Sequence, residues 1–477
     1  MLPLDPARTW SRVLRAGLLG LTLLGSVGAA LTPRIMTLPQ NIEKQQTKRS
    51  SVQKDSRGNL HAVYSTLDGD VRYATCQGAC TSEGAWKSER ITWTPNLPPD
   101  GFVVPKLRVA PDGSLHLAVY VNTSGLLTEA GKVYYVRCTS GCLKEPNWQL
   151  VDVTTRYYKL APPLDSEWFT LDPQGRPRLA FVDNIGKDLS DRIGTPSAKV
   201  LWLGCDRACT SASSWKTAVL DLPPLGMSGA TTLKYDARGV AHLLAYFRTP
   251  DDAKTELLYT QCARDCHTSR NWSQRVTLAS DLYSPDIARS WSASVTPEGR
   301  LYVPVYLGST LTKKGREELD LLSCARNCTT RSGWQRVSLR QAAGIPASVL
   351  TFGAGVDSEF VGNKLILSFT ARLKTQPAAT EVMKLTCQGD CGTKTARWTR
   401  STAASTTAFK LPNQGNCLFV GTGVEPHTDV TTDGRVTFTI APTWGCKGTD
   451  YIVYRNGNPE YRSFSDMKWL NYVVINR

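Results

Sequence analysis

Short runs of alternating apolar and polar residues recur along the whole chain, and nearly all are bounded by turn-forming residues. Leu115-His-Leu-Ala-Val-Tyr120 shows the pattern. A period of two sends successive side chains to opposite faces, so these runs predict half-buried β-strands. Between paired runs stand Asp55-Ser-Arg-Gly58, Ala110-Pro-Asp-Gly113, Asp172-Pro-Gln-Gly175, Asp236-Ala-Arg-Gly239 and Thr296-Pro-Glu-Gly299. Weaker forms occur at Val361-Gly362-Asn363 and Thr432-Asp433-Gly434. Glycine supplies a positive φ and proline pre-sets the first turn residue, so each reads as strand–turn–strand. A third run follows, as in Val71 to Thr75 and Leu257 to Thr260. A fourth starts at a tryptophan, as in Trp334 to Leu339.

The third and fourth runs are joined by a cysteine signature, C-x-x-x-C followed by Trp. It occurs at Cys76, Cys80 and Trp86; Cys138, Cys142 and Trp148; Cys205, Cys209 and Trp215; Cys262, Cys266 and Trp272; Cys324, Cys328 and Trp334; and Cys387, Cys391 and Trp398. First cysteines lie 57 to 67 residues apart, and a fixed period of this length signals a repeat architecture. A seventh unit lacks the pair. It keeps the Gly434 turn, strands over Val436 to Ile440 and Tyr451 to Tyr454, and a Trp run from Trp469 to Ile475. The fold expected is all-β: a seven-bladed β-propeller with four antiparallel strands per blade, over residues 51–477 after an N-terminal arm at 31–50. A linear solenoid would leave strand edges open. Closure is expected by packing of complete first and seventh blades, with Arg34 to Leu38 a loose arm or an extra outer strand. Pairing of that segment into the seventh unit is the alternative.

Residues 1–30 read as a secretory signal. Arg8, Arg12 and Arg15 precede the apolar stretch Ala16 to Leu24, and small residues follow through Ala30. The protein is therefore expected to be secreted, periplasmic or on the cell surface, with no transmembrane segment in the mature chain. In such a setting fourteen cysteines read as disulfides. Six are the local pairs Cys76–Cys80, Cys138–Cys142, Cys205–Cys209, Cys262–Cys266, Cys324–Cys328 and Cys387–Cys391. Cys417 and Cys446 pair by elimination. Zinc would need about four converging ligands, and one pair per blade keeps the pairs apart on a ring, so no metal and no other cofactor is expected. Net charge is +15, or +13 without the leader, which favours anionic surfaces. The basic residues are dispersed and no basic stripe with interleaved aromatics appears, so no specific nucleic-acid partner is expected.

Topology then places the loops. Hairpin turns and cysteine loops share one end of the ring. The long irregular connections, such as Val182 to Ser197 and Leu411 to His427, share the other end, where binding residues are commonly carried. Charged and aromatic residues gather where these loops enter the innermost strands: Lys106 and Arg108; Asp165, Glu167 and Trp168; Asp286, Arg289 and Trp291; Asp357 and Glu359; Glu425, His427 and Asp429. Carboxylates beside basic or aromatic neighbours can bind sugar hydroxyls or do glycosidic acid–base chemistry. No catalytic residue is assigned. His61, His116 and His242 recur three residues after the turn glycine, but Leu365 and Thr437 occupy that place elsewhere. Such a set reads as packing, as do the tryptophans.

The module resembles the repeats of bacterial exported propellers of the broad BNR/sialidase-like group: an Asp-x-x-Gly turn, a His-x-x-Tyr-like strand, and a Tyr-rich strand into paired cysteines and a Trp. The resemblance runs from about Ser51 to Ile475 and implies a propeller fold and export. Sialidase Asp-boxes place Asp two before Gly and follow it with Trp. Here Asp55 stands three before Gly58 and no Trp follows. Arg34-Ile35 is followed by Met36 rather than proline, and no arginine triad can be assigned. The function expected is a secreted or surface-associated binding propeller for a glycan or an extracellular protein on the long-loop face. The alternative is a sialidase-like glycoside hydrolase or a polysaccharide lyase.

Overall fold

The computed structural model describes residues 34–38, 47–66, 69–78, 80, 83–91, 103–122, 131–154, 166–183, 198–225, 229–248, 255–280, 290–307, 318–346, 349–373, 376–405, 418–430, 436–455, 458–469 and 472–476. The leader at 1–30, Cys417, Asp165, Asp286 and Arg289 lie outside these residues. The expected Cys417–Cys446 bond does too.

Six sheets repeat one plan, with four antiparallel strands laid side by side in chain order, the sixth also carrying the short parallel strand Ser290–Trp291 on its inner edge. The second is typical: Val103–Val109, Leu115–Asn122, Gly131–Cys138 and Gln149–Asp152. The hairpin turns form as their chemistry requires. Gly58, Gly113, Gly175, Gly239 and Gly299 all have positive φ. The side chains of Asp55, Asp172 and Asp236 each accept two backbone amides across the turn. The first blade begins at Thr47 rather than Ser51, since Thr47–Lys54 is its innermost strand. Innermost strands of successive blades lie against one another around the ring.

The cysteine signature proves to be a bracket. All six local disulfides are formed, with Cα–Cα distances of 5.6–5.8 Å, inside the usual range. The residue before the second cysteine turns left-handed in four loops, at Gly141, Ala208, Asp265 and Asn327. The Trp indole then donates to the carbonyl of that second cysteine at 2.8–2.9 Å in blades 2 to 5. Blade 1 keeps the same six-residue spacing from Cys80 to Trp86, although the Trp86 indole N–H finds no partner among the described residues. The same rings join the blades: Trp148, Trp215 and Trp334 sit edge-on to Tyr73, Tyr135 and Tyr259 of the preceding blade, at 5.2–5.4 Å. T-shaped pairs of this kind add about 0.5–1.5 kcal/mol beyond their burial.

The blades number six, not seven. The C-terminal unit forms a sheet of a different make. Its second strand, Val436–Arg455, runs through the segment expected to hold two strands. One edge pairs with Leu418–Val430, and the other with Asn458–Trp469 and then Tyr472–Asn476 in succession. The Trp469 run therefore ends one strand and, past residues 470–471, leads into the next along the same edge, rather than making a fourth. The outer position belongs to Arg34–Thr37, paired antiparallel with Tyr472–Asn476. The physical reason is the missing C-x-x-x-C bracket. With no tight loop to reverse the chain near the disulfide end, the second strand runs on to a distant hairpin. The ring closes through this sheet, because Leu418–Val430 lies against the innermost strands of both blade 6 and blade 1. Complete blades do not meet side by side, and the N-terminal segment is no loose arm. Leu38 behind it is fully buried against Val52, Leu60 and Tyr64 of blade 1.

Candidate functional site

Innermost strands from four blades bring charge together. Arg108, on Val103–Val109, donates a hydrogen bond to the Glu167 carboxylate just before the short strand Phe169–Leu171 of blade 3. Lys234, on Gly229–Tyr235 of blade 4, reaches the same Glu167 oxygen at 3.4 Å. From blade 6, Asp357 and Glu359 on Val349–Val361 are close enough to act electrostatically on Lys234. Blade 5 is tied in beside them. The Ser292 hydroxyl donates to Asp357 and accepts the Ser358 amide at 2.7 Å.

These strands come close because their backbones bond across blades. The Leu233 amide donates to the Glu167 carbonyl at 3.0 Å, the Ser292 amide to the Val356 carbonyl at 3.2 Å, and the Leu107 amide to the Ser51 hydroxyl at 3.1 Å. Crowding sets the proton affinities. Burial pushes the Glu359 carboxyl up to about 7, with Asp357 and Glu167 adding to the rise and Lys234 and Arg108 opposing it. Burial works against the Lys234 ammonium, but Glu167, Glu359 and Asp357 outweigh it and hold the group charged. Three carboxyls and two cations meet in one place, and the raised proton affinity of Glu359 follows from burial and that crowding.

Four of the thirteen residues singled out from the sequence, Arg108, Glu167, Asp357 and Glu359, meet here. Lys106 is on the same strand as Arg108 and is buried. Trp168 is fully buried in the apolar core with Tyr135, Phe169 and Leu201, so its ring is taken up by packing. Trp291 lies on Ser290–Trp291, which pairs in parallel with Gly355 and Val356. Glu425, His427 and Asp429 fall on Leu418–Val430 of the closing sheet, with His427 opposite Thr439 and Asp429 opposite Thr437. The side chains of these last four lie outside the described residues. Arg108, Lys234 and Glu359 each stand two residues before their hairpin, Asp357 four and Glu167 five. Lys234 and Ser292 are not singled out by sequence reasoning. The repeat itself carries the signal for Lys234, which precedes Asp236 as Arg108 precedes Ala110.

A cleft of about 320 Å³ opens between blades 1 and 2 at the turn end, lined by Asp55, His61, Tyr73, Asp112 and the Ser140–Cys142 loop. Its hydrogen bonds repeat elsewhere. His61, His116 and His242 each bond through Nδ1 to the Tyr73, Tyr135 and Tyr259 hydroxyls at 2.6–2.8 Å. Arg178 takes the histidine's place in blade 3, donating to Asp172 and to the Cys205 carbonyl. A feature shared by four blades braces hairpin to third strand, as the recurring histidines suggested. Among the described residues no group of histidine, cysteine and acidic side chains could hold a metal ion, and no helix is long and apolar enough to cross a membrane.

No protein-family model matches the chain, and no curated protein sequence is similar to it. Solved structures do resemble it. A mutant of the Aleuria aurantia lectin, in complex with Fucα1-6GlcNAc, aligns over 76% of this chain and 95% of its own at 11% identity and a TM-score of 0.39. A GH93 α-L-arabinofuranosidase of Fusarium graminearum aligns over 78% and 97% at 10% identity and 0.41. The phage phi92 endosialidase aligns over 93% and 69% at 10% identity and 0.47. Similarities this low carry no functional argument, so function has to be argued from this chain's own residues.

Proposed function

We propose that the protein is an exported glycan-binding propeller whose ligand is held by the charged cluster on the innermost strands. The observation that carries this reading is the meeting of Arg108, Glu167, Lys234, Asp357 and Glu359 from four blades. A sugar hydroxyl both donates and accepts, so it suits a site where carboxylate acceptors alternate with cationic donors. The near balance of charge favours a neutral sugar there over a strongly anionic one. Six formed disulfides are consistent with an oxidising compartment. A glycan array with the purified chain tests the proposal. Binding should be found and should weaken about tenfold or more in Lys234→Met and Glu167→Gln, since each leaves buried charge unpaired. Variants that bind like the parent would refute it.

A second reading is glycoside cleavage, and one observation favours it. Glu359 is held near 7 two residues from Asp357 on the same strand, which sets them about 6–7 Å apart along the backbone. A carboxyl with a raised proton affinity beside a second carboxyl suits acid and base roles in glycosidases. Release of reducing sugar from a glycoside panel, lost in Glu359→Gln, would support cleavage. No turnover alongside measurable binding would leave the binding reading alone.

A further inference from the structure

The disulfide loops of blades 4 to 6 carry Arg264, Arg270, Arg326, Arg331, Lys394 and Arg397, against only Asp265 and Asp390. All six cations are exposed, and none of their charged groups is tied up in an ion pair among the described residues. Asp390 is engaged by Arg300 at 2.6 Å. The matching loops of blades 1 to 3 hold two cations, Lys144 and Arg207, against Glu83, Glu145 and Asp206. Along the chain, where basic residues are dispersed, the asymmetry shows only when the charges are counted loop by loop. The fold gathers it by setting every third-to-fourth-strand loop at one end of the ring.

The three basic loops are contiguous. Trp334 of blade 5 packs on Tyr259 of blade 4. The hairpin glycine Gly299 leaves room for Arg238 and Asp236 of the neighbouring blade, where a Cβ would clash. Gly392 in the blade 6 loop abuts Ser323 beside Cys324 of blade 5. The disulfide brackets hold each loop, so the cations stand on a stiff arc. Between them are Thr268, Ser269, Thr330, Ser332, Thr393 and Thr395, small hydroxylated side chains.

We propose that this arc, formed by the disulfide loops of blades 4 to 6, docks an anionic polysaccharide bearing sulfate or carboxylate groups. Arginine suits such groups because its planar fork gives paired hydrogen bonds to them. The composition argues against other polyanions. A membrane surface would call for protruding apolar residues, and among the described residues the large exposed ones, Leu150 and Val219, lie on blades 2 and 3. Single-stranded nucleic acid would call for exposed aromatic faces, whereas Trp272 and Trp334 in these loops are buried and Trp398 is half-buried against the core. The arc is separate from the cluster on the innermost strands, and the proposal does not rest on that cluster's role.

The test measures binding of the full chain to immobilised dextran sulfate, with unsulfated dextran, phosphatidylserine vesicles and a single-stranded oligonucleotide as comparisons at equal salt. Two variants with four charges removed are compared. R264Q/R270Q/R326Q/R331Q should bind dextran sulfate about tenfold more weakly or worse, as expected for four lost exposed ion pairs. K87Q/K144Q/R207Q/K216Q, on blades 1 to 3, should stay within about threefold of the parent. R326Q/R331Q alone should fall between, and serves if the quadruple variant does not fold. Lys234→Met should leave dextran sulfate binding unchanged. Equal losses in the two quadruple variants would reduce the effect to net charge and overturn the proposal. So would tighter binding to vesicles or oligonucleotide, or equal binding to unsulfated dextran.

Discussion

Replacing Glu359 with glutamine should remove the pH dependence of stability that this side chain imposes. Its carboxyl holds a proton up to about pH 7 in the folded chain, against 4.5 for an ordinary glutamate. Between those values the folded state keeps a proton that the unfolded state has lost, so raising the pH takes stability away. The contribution is fully present below about pH 4.5 and is lost as pH rises through 7. The gap of about two and a half pH units, at about 1.4 kcal/mol each, sets a ceiling of about 3.5 kcal/mol. Partial solvent contact lowers the expected effect to about 2 kcal/mol. Glutamine keeps the shape and cannot titrate. The variant should match the parent within about 1 kcal/mol at pH 4.5 and gain on it steadily to pH 8, after which the difference levels off. Urea unfolding followed by tryptophan fluorescence, at fixed ionic strength and half-unit pH steps, measures this. Glu89→Gln, on an exposed strand, is the control. A difference between Glu359→Gln and parent that does not change with pH would refute the crowded, mutually coupled cluster.

Three further outcomes are expected. Trp334→Ala should cost about 3–5 kcal/mol, because Trp334 is buried, packs edge-on to Tyr259 and satisfies the Cys328 carbonyl; Trp334→Phe should cost about 1–2 kcal/mol, and a Phe variant as stable as the parent would show that the indole hydrogen bond is unimportant. Deleting residues 31–38 should lower the melting temperature by well over a few degrees and promote association, since it strips the outer strand from Tyr472–Asn476 and removes buried Leu38; a melting curve unchanged by the deletion would contradict the strand pairing. Burial and the Arg137 charge push His116 down to about 4, with Asp112 opposing, so its imidazole should stay neutral at pH 5.5; a histidine NMR titration midpoint for His116 near 6.5 would be inconsistent with its bonds to Ser114 and Tyr135.

Much of the fold is legible in the sequence because the repeat is written in hard constraints. Turn glycines need positive φ, and the C-x-x-x-C-x5-W loop is closed by a disulfide and, in blades 2 to 5, by an indole hydrogen bond. Such features identify strands and loops one by one. The blade count is not legible where the constraint is missing. Without a bracket after Tyr451 to Tyr454, alternation alone cannot tell one long strand from two, and four residues at Arg34 to Thr37 carry no sign of a partner some 440 positions away. The candidate site is half legible. Arg108, Glu167, Asp357 and Glu359 stand out as charges near the innermost strands. Their meeting point depends on how far each strand slides along its neighbour, and Lys234 is marked only by its equivalence to Arg108 in the repeat, not by any place at a loop mouth. The basic arc is legible only when the charges are counted loop by loop across the repeat, since its residues lie some 60 apart along the chain.

A crystal structure of the chain with the tightest glycan found on the array tests the binding cluster most directly. Sugar hydroxyls should lie within hydrogen-bond distance of Arg108, Lys234 and at least one of Glu167, Asp357 and Glu359. A glycan seated elsewhere, with those five side chains contacting only one another, would contradict the proposal.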